Sequence, residues 1–206
     1  RERNEAAMKF FHLSDLHIGK RIHEFSMLED QRYILNEILQ LADKERPDGV
    51  LLAGDIYDKA IPTAEAVQVF DSFLQGLVKR RIPVFLINGN HDSAERLAFG
   101  AGWMDQSGIY IAPLYDGTVK CVRLKDGTVC IHLLPFLRPA LVRHAQEERA
   151  EEIVDYPSAL AVALSGIKLN PEERNVLIAH QFVTGASRCD SEELQVGTID
   201  QIPLSF

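Results

Sequence analysis

The chain has 206 residues, enough for one domain with a small appendage and a sizeable buried core. Hydrophobic residues make up 46% and charged residues 25%, which fits a globular protein and excludes a disordered chain. No apolar run approaches the roughly 20 residues that span a bilayer, so no membrane role is expected. The net charge of −8 excludes holding nucleic acid by a diffuse basic surface; attraction would have to be local.

Residues 1–7 are polar and lack a signal-peptide apolar region, and Met8 reads as a natural start. They are taken as a leader or a vector-derived remnant, and residues 8–206 as the core. Met8 to Ser14 then predicts a buried first strand, apolar on nearly every side. Residues 27–45 predict a helix with Ile34, Ile38, Leu41 and Ala42 on its stripe. Val50 to Ala53 predicts a second buried strand, and 64–79 a helix with Ala66, Phe70, Phe73 and Leu77 inward. Pro83 to Asn88 predicts a third strand, its proline at the tolerated first position. This alternation implies a parallel sheet covered on both faces, an α/β fold.

Residues 109–135 predict short strands and a hairpin, giving antiparallel members or a second sheet. An Asp126-Gly127 turn pairs Cys121 with His132 and Arg123 with Cys130. The two cysteines are then diagonal, a poor disulfide geometry, and the expectation is free thiols in the cytoplasm. Residues 140–165 predict a charged helical stretch, Glu147 to Glu152 being a solvated face. Asn175 to Ala179 predicts a late buried strand ending at His180, and 184–206 a loop.

The carboxyl ends of the buried strands carry the chemistry. Asp15 and His17 follow the first strand, Asp55 and Asp58 the second, Asn90, His91 and Asp92 the third, and His180 the late one. Open α/β sheets bind ligands outside those ends. Carboxylate, imidazole and amide donors without thiolate suit Mn²⁺ or Fe²⁺, with Zn²⁺ admissible. Asp55, after Gly54, is the candidate bridge between two cations. A lone aspartate after a strand is more often a helix cap or turn residue, and a lone buried histidine is more often structural. Their recurrence at four strand ends decides against that reading. His12 and His132 read as core or supporting residues, His23 and His144 as solvent-facing. Lys20, Arg21 and Arg96 are candidate phosphate contacts, although exposed cations are more often plain surface.

The segments SDLHIG (14–19), GDIYD (54–58), GNHD (89–92) and AHQF (179–182) resemble the calcineurin-like metallophosphoesterase superfamily. Within it, HLSDLHIGK (12–20) and LLPFLRP (133–139) most resemble the SbcD family of bacterial nuclease subunits. The resemblance implies a metallophosphoesterase-type mixed β sandwich flanked by helices. It implies Asp15 and His17 on one cation, Asp55 bridging, and Asn90 and His180 on the second, with Mn²⁺ as the favoured metal. His91 would act on the scissile phosphate, and Asp58 would pair with it and keep it a proton donor. The implied activity is exonuclease and endonuclease cleavage of DNA duplex ends, hairpins and single strands. The implied partners are an SbcC-type ABC ATPase and a second copy of the chain. Other members of the superfamily are phosphatases or cyclic nucleotide phosphodiesterases, and a catalytically inactive DNA-end-binding scaffold is the third alternative. The family's Gly-His-x-His motif does not occur in these residues, so the core is expected to be C-terminally incomplete and to hold metal weakly by itself.

Overall fold

In the first sheet, the two inner strands are apolar and buried at every position, because helices or neighbouring chain cover both faces. A computed structural model describes residues 8–124, 127–183 and 201–202. It divides into two units, 1–113 and 114–206.

The first unit carries β1 (Phe10–Leu13), β2 (Arg21–Ile22), β3 (Phe25–Ser26), α1 (Leu28–Glu45), β4 (Gly49–Ala53) and α2 (Ala64–Lys79). These are followed by β5 (Val84–Ile87), α3 (Ala94–Ala98), α4 (Ala101–Met104) and β6 (Ile109–Ala112). Strands β1, β4, β5 and β6 form an all-parallel sheet in that order, and β2 and β3 a small hairpin. Thr63 caps α2 by accepting the Ala66 N–H, and Ala66, Phe70, Phe73 and Leu77 are all buried as expected. Full burial of such a leucine or phenylalanine stabilises by about 1.5–3 kcal/mol relative to exposure.

The expected stripe of α1 needs correcting. Leu35, Leu39 and Ala42 are buried, whereas Ile34 and Leu41 are about half exposed. Both stripes have helical spacing. Gly76 of α2 decides between them: a β-carbon there would meet a Leu39 methyl at 2.5 Å, so its absence makes the notch that Leu39 fills. Strand β1 is also less buried than expected, because it is a sheet edge. Phe11 and Leu13 pack on the core while His12, on the opposite face, is exposed and is not a core residue.

The second unit carries β7 (Lys120–Arg123), β8 (Val129–Leu133), α5 (Pro139–Ala145), α6 (Tyr156–Ser165), β9 (Arg174–Ile178), β10 (Phe182–Val183) and β11 (Gln201–Ile202). Strand β8 is central, antiparallel to β7 and parallel to β9. Cys121 opposes His132 and Arg123 opposes Cys130, the register expected of the hairpin; Asp126 of its turn lies outside the described residues.

The disulfide expectation is corrected. Cys121 and Cys130 are joined, their α-carbons 6.3 Å apart. A diagonal pair on twisted antiparallel strands thus falls inside the span a disulfide bridges. The charged stretch 140–165 is broken rather than continuous: a 3₁₀ segment at Glu147–Glu152 separates α5 from α6. The break falls where Asp155 caps α6 in a reciprocal box with Ser158. Residues 201–202 pair with Phe182–Val183 instead of forming loop, and 184–200 and 203–206 lie outside the described residues. Among the described residues no helix is long and apolar enough to cross a membrane.

Candidate metal centre

Beyond the ends of β1 and β4 the two chain segments stay zipped together. Asp15 donates its N–H to the Gly54 carbonyl (3.2 Å), His17 to Asp55 (3.0 Å) and Ile18 to Ile56 (2.9 Å). Holding that register with side chains aimed outward forces Asp15, His17 and Asp55 into left-handed backbone, with φ of 55°, 42° and 49°. Each such non-glycine residue costs about 1–3 kcal/mol, a strain that clusters at functional sites.

Asp55 is 3% exposed and sits at the centre. Its Oδ1 accepts the His91 N–H at 2.9 Å. Its Oδ2 lies 3.7 Å from His17 Nε2 and 3.9 Å from His91 Nε2. Asp15 Oδ1 is 3.8 Å from the same His17 nitrogen. His17, Asp55 and His91 offer ligand atoms all within 4.8 Å of one another. The two imidazoles meet edge to face at 4.9 Å between centroids.

The electrostatics favour a cation. Burial lowers the His17 pKa, opposed by the Asp55 carboxylate and reinforced by His91 and Lys20, so the ring is held in the neutral form a metal requires. His17 Nδ1 is buried without a hydrogen-bond partner. The other ring nitrogen, Nε2, stands within 4 Å of the Asp15 and Asp55 carboxylates, and a set of oxygen and nitrogen donors only fits a borderline-hard divalent cation.

Two supporting roles escaped the sequence reading, that of Asp92, which was seen only as a strand-end residue, and that of Gln31. Asp92 accepts the N–H groups of Ile56 (3.1 Å), Tyr57 (2.9 Å) and Gly89 (2.9 Å), tying the β4 exit to the β5 exit. Burial pushes its carboxyl above the usual range even against those three donors, and Asp55 adds to the rise. Gln31 of α1 accepts the Gly19 N–H at 2.9 Å and donates to the carbonyls of Leu16 (3.1 Å) and His17 (2.8 Å). Its signal was a polar residue four positions before buried Leu35, on the buried stripe itself.

The other expected residues divide. Asp58 reaches His91 through its main-chain carbonyl, 3.1 Å from Nδ1, while its carboxylate lies 3.8 Å from His17 Nδ1. The expected carboxylate–imidazole pair is thus a carbonyl–imidazole pair: the β4 exit turns the Asp58 backbone, not its side chain, toward His91. Asn90 sits half-buried in the turn beside His91. Lys20 is half-buried and its N–H closes a turn on the His17 carbonyl at 2.9 Å. The Arg21 guanidinium folds back onto the Glu24 carbonyl of its own hairpin. Arg96 lines a cavity of about 500 Å³ with Tyr57, Phe70 and Leu74. His180 follows β9 in the second unit, its ring 6.4 Å from that of Phe136.

A family model described as calcineurin-like phosphoesterase matches residues 8–196. A Staphylococcus epidermidis protein named as the SbcD component of the nuclease SbcCD is 32% identical over 201 residues, covering 96% of this chain and 53% of the relative. The protein of the same name from Staphylococcus saprophyticus subsp. saprophyticus is 32% identical over 197 residues, covering 95% and 52%. The chain spans about half the length of these curated relatives. With the strand-end carboxylates and imidazoles in place and the match running through all of them, this chain belongs to the calcineurin-like phosphoesterase family.

Proposed function

We propose that the chain is the catalytic core of a metal-dependent nuclease that hydrolyses DNA phosphodiesters. The observation that carries the reading is the convergence of Asp15, His17, Asp55 and His91 from three adjacent strand exits, with His17 Nε2 within 4 Å of both the Asp15 and Asp55 carboxylates and Asp55 Oδ2 3.9 Å from His91 Nε2. Likeness to proteins named as nuclease components supports DNA as the substrate.

Asp15 and His17 are assigned to one cation, Asp55 to the bridge, and Asn90 and His180 to a second. The assignment of His180 rests on resemblance. Bound divalent cations, with Mn²⁺ suited to this donor set, would supply Lewis acidity toward a phosphoryl oxygen. The protein's own part is to orient and to move a proton. A carbonyl only accepts, so the contact from His91 Nδ1 to the Asp58 carbonyl commits the Nδ1 hydrogen. The proton that His91 offers a departing oxygen therefore sits on Nε2, the nitrogen facing Asp55. Lys20, Arg21 and Arg96 are the assigned phosphate contacts. Duplex ends, hairpins and single strands are the proposed substrates, a second copy and an SbcC-type ABC ATPase the proposed partners, and the cytoplasm the proposed setting.

The test compares the chain and its His91→Ala variant with Mn²⁺ on linear duplex DNA and on a bis-aryl phosphodiester. Loss of DNA cleavage by about 10²–10⁴-fold, with metal binding retained, supports the reading. Hydrolysis of the small ester alone points to a phosphatase or cyclic nucleotide phosphodiesterase. Inactivity toward both while Mn²⁺ is bound points to a DNA-end-binding scaffold.

A further inference from the structure

A second group of metal-ligating side chains lies within the second unit. Cys121, Cys130 and His132 offer ligand atoms within 4.8 Å of one another. They share one face of the β7–β8–β9 sheet, His132 directly opposite Cys121 and two residues from Cys130. Cys130 and His132 are buried, at 1% and 4% exposure, while Cys121 is exposed, so the group opens to solvent on one side.

The protonation of His132 follows from its neighbour. The Asn175 amide nitrogen donates to two carbonyls, Asn170 at 3.1 Å and Glu173 at 3.0 Å. Both its hydrogens are thereby used and its orientation is fixed, so the atom facing His132 is the oxygen, an acceptor. His132 Nε2, 2.9 Å from that oxygen, must carry the ring hydrogen. Nδ1 is then left with a bare lone pair. It is buried and has no hydrogen-bond partner. A buried lone pair without a donor is a standing cost. An imidazole whose far nitrogen is anchored to an amide oxygen is the arrangement by which proteins prepare a histidine ligand.

We propose that, once the disulfide is opened, Cys121, Cys130 and His132 Nδ1 form a site for a thiophilic divalent cation of the Zn²⁺ class, separate from the phosphoesterase centre. The opening is a two-electron step. A dithiol reductant supplies both electrons and both protons, the Cys121–Cys130 bond breaks, two thiols form, and the reductant closes its own disulfide. Metal binding then releases both thiol protons to solvent as two sulfur–metal bonds form. Tetrahedral geometry with metal–sulfur bonds of about 2.3 Å needs the sulfurs roughly 3.8 Å apart, a modest parting for side chains whose α-carbons stand 6.3 Å apart. Water on the exposed Cys121 side completes the coordination. Two thiolates and an imidazole select against Mg²⁺ and Mn²⁺, so the two centres take different metals.

Co²⁺ serves as the probe, in the full chain carrying Cys189→Ser. A thiol assay first establishes that both remaining cysteines are free after reduction. Reduced protein is expected to bind one Co²⁺ with thiolate-to-cobalt charge-transfer absorption, a band that an oxygen and nitrogen centre does not produce. Oxidised protein and the exposed-site variant Cys121→Ser are expected to lack it. Asn175→Ala is expected to weaken the band-forming site by about 10–100-fold. Absence of the band in reduced, folded protein overturns the proposal, as does its persistence in Cys121→Ser. Unchanged affinity in Asn175→Ala overturns the part given to the anchored imidazole.

Discussion

A β-carbon on Gly89 would lie 2.0 Å from Asp55 Oδ1 and 2.4 Å from the Asp55 nitrogen, so the β5 exit can pass over the β4 exit only without a side chain. That passage is what lets His91, two residues on, donate its N–H to Asp55. Gly89→Ala must push the two exits apart. Overpacking of this kind costs about 1–3 kcal/mol, and the loss is expected to fall on the centre first. Calorimetric titration with Mn²⁺ should show weakened binding in this variant, and thermal unfolding a lowered midpoint. Unchanged binding would mean that the exits tolerate separation.

Asp92 is the next restraint on the same exits. Its side chain stands outside the clustered ligand atoms, yet it accepts three main-chain N–H groups from two strand ends. In Asp92→Ala those donors are left buried and unmatched, a penalty of about 1–3 kcal/mol for each that finds no water. The expected outcome is a larger fall in stability than for Asp58→Ala, together with reduced Mn²⁺ affinity. Asp92→Asn, with a single acceptor oxygen, should fall between. A drop in cleavage with stability and metal affinity intact would place Asp92 in the chemistry instead.

Legibility in the sequence followed the physics of each element. The strand exits were readable because a parallel sheet gathers its carboxyl ends along one edge, and a two-residue turn fixed the pairing of Cys121 with His132. The inward face of α1 was not, since Ile34 and Leu35 each begin a stripe with helical spacing and only the Gly76 notch on another helix separates them. Asp92 stood in view within GNHD, but that its carboxylate spans to Ile56 and Tyr57 is a tertiary fact with no local signature. The disulfide was hidden because strand twist, which brings a diagonal pair within reach, leaves no mark on spacing.

Asp155 gives a prediction tied to pH. Hydrogen bonds from the Ser158 hydroxyl and N–H hold its carboxyl below the ordinary carboxylate range. A depressed folded-state pKa means the cap stabilises α6 above the unfolded value and loses its contribution as pH falls through the folded one. Asp155→Ala should cost about 0.5–2 kcal/mol near neutrality. Amide exchange at the start of α6 should accelerate severalfold relative to the parent at neutral pH. The ratio should approach unity at pH below the carboxylate range, where the parent cap is itself protonated. A ratio independent of pH would show that the cap acts by shape alone.

Asp55→Asn separates stability from function. Metal-free, the Asp55 carboxylate is buried and raises the pKa of Asp92, which marks mutual repulsion between two anions. The amide keeps an oxygen to accept the His91 N–H while removing the charge. Without metal the variant is therefore expected to unfold at a higher temperature than the parent, by about 2–4 °C for each kcal/mol of repulsion relieved. With Mn²⁺ the order should reverse, because a cation that binds only the native parent stabilises it in proportion to the logarithm of its concentration over Kd. Thermal midpoints measured across a Mn²⁺ series should thus cross for the two proteins. Parallel curves would mean that Asp55 is not a ligand, and an unaltered metal-free midpoint that its charge is already neutralised by its neighbours.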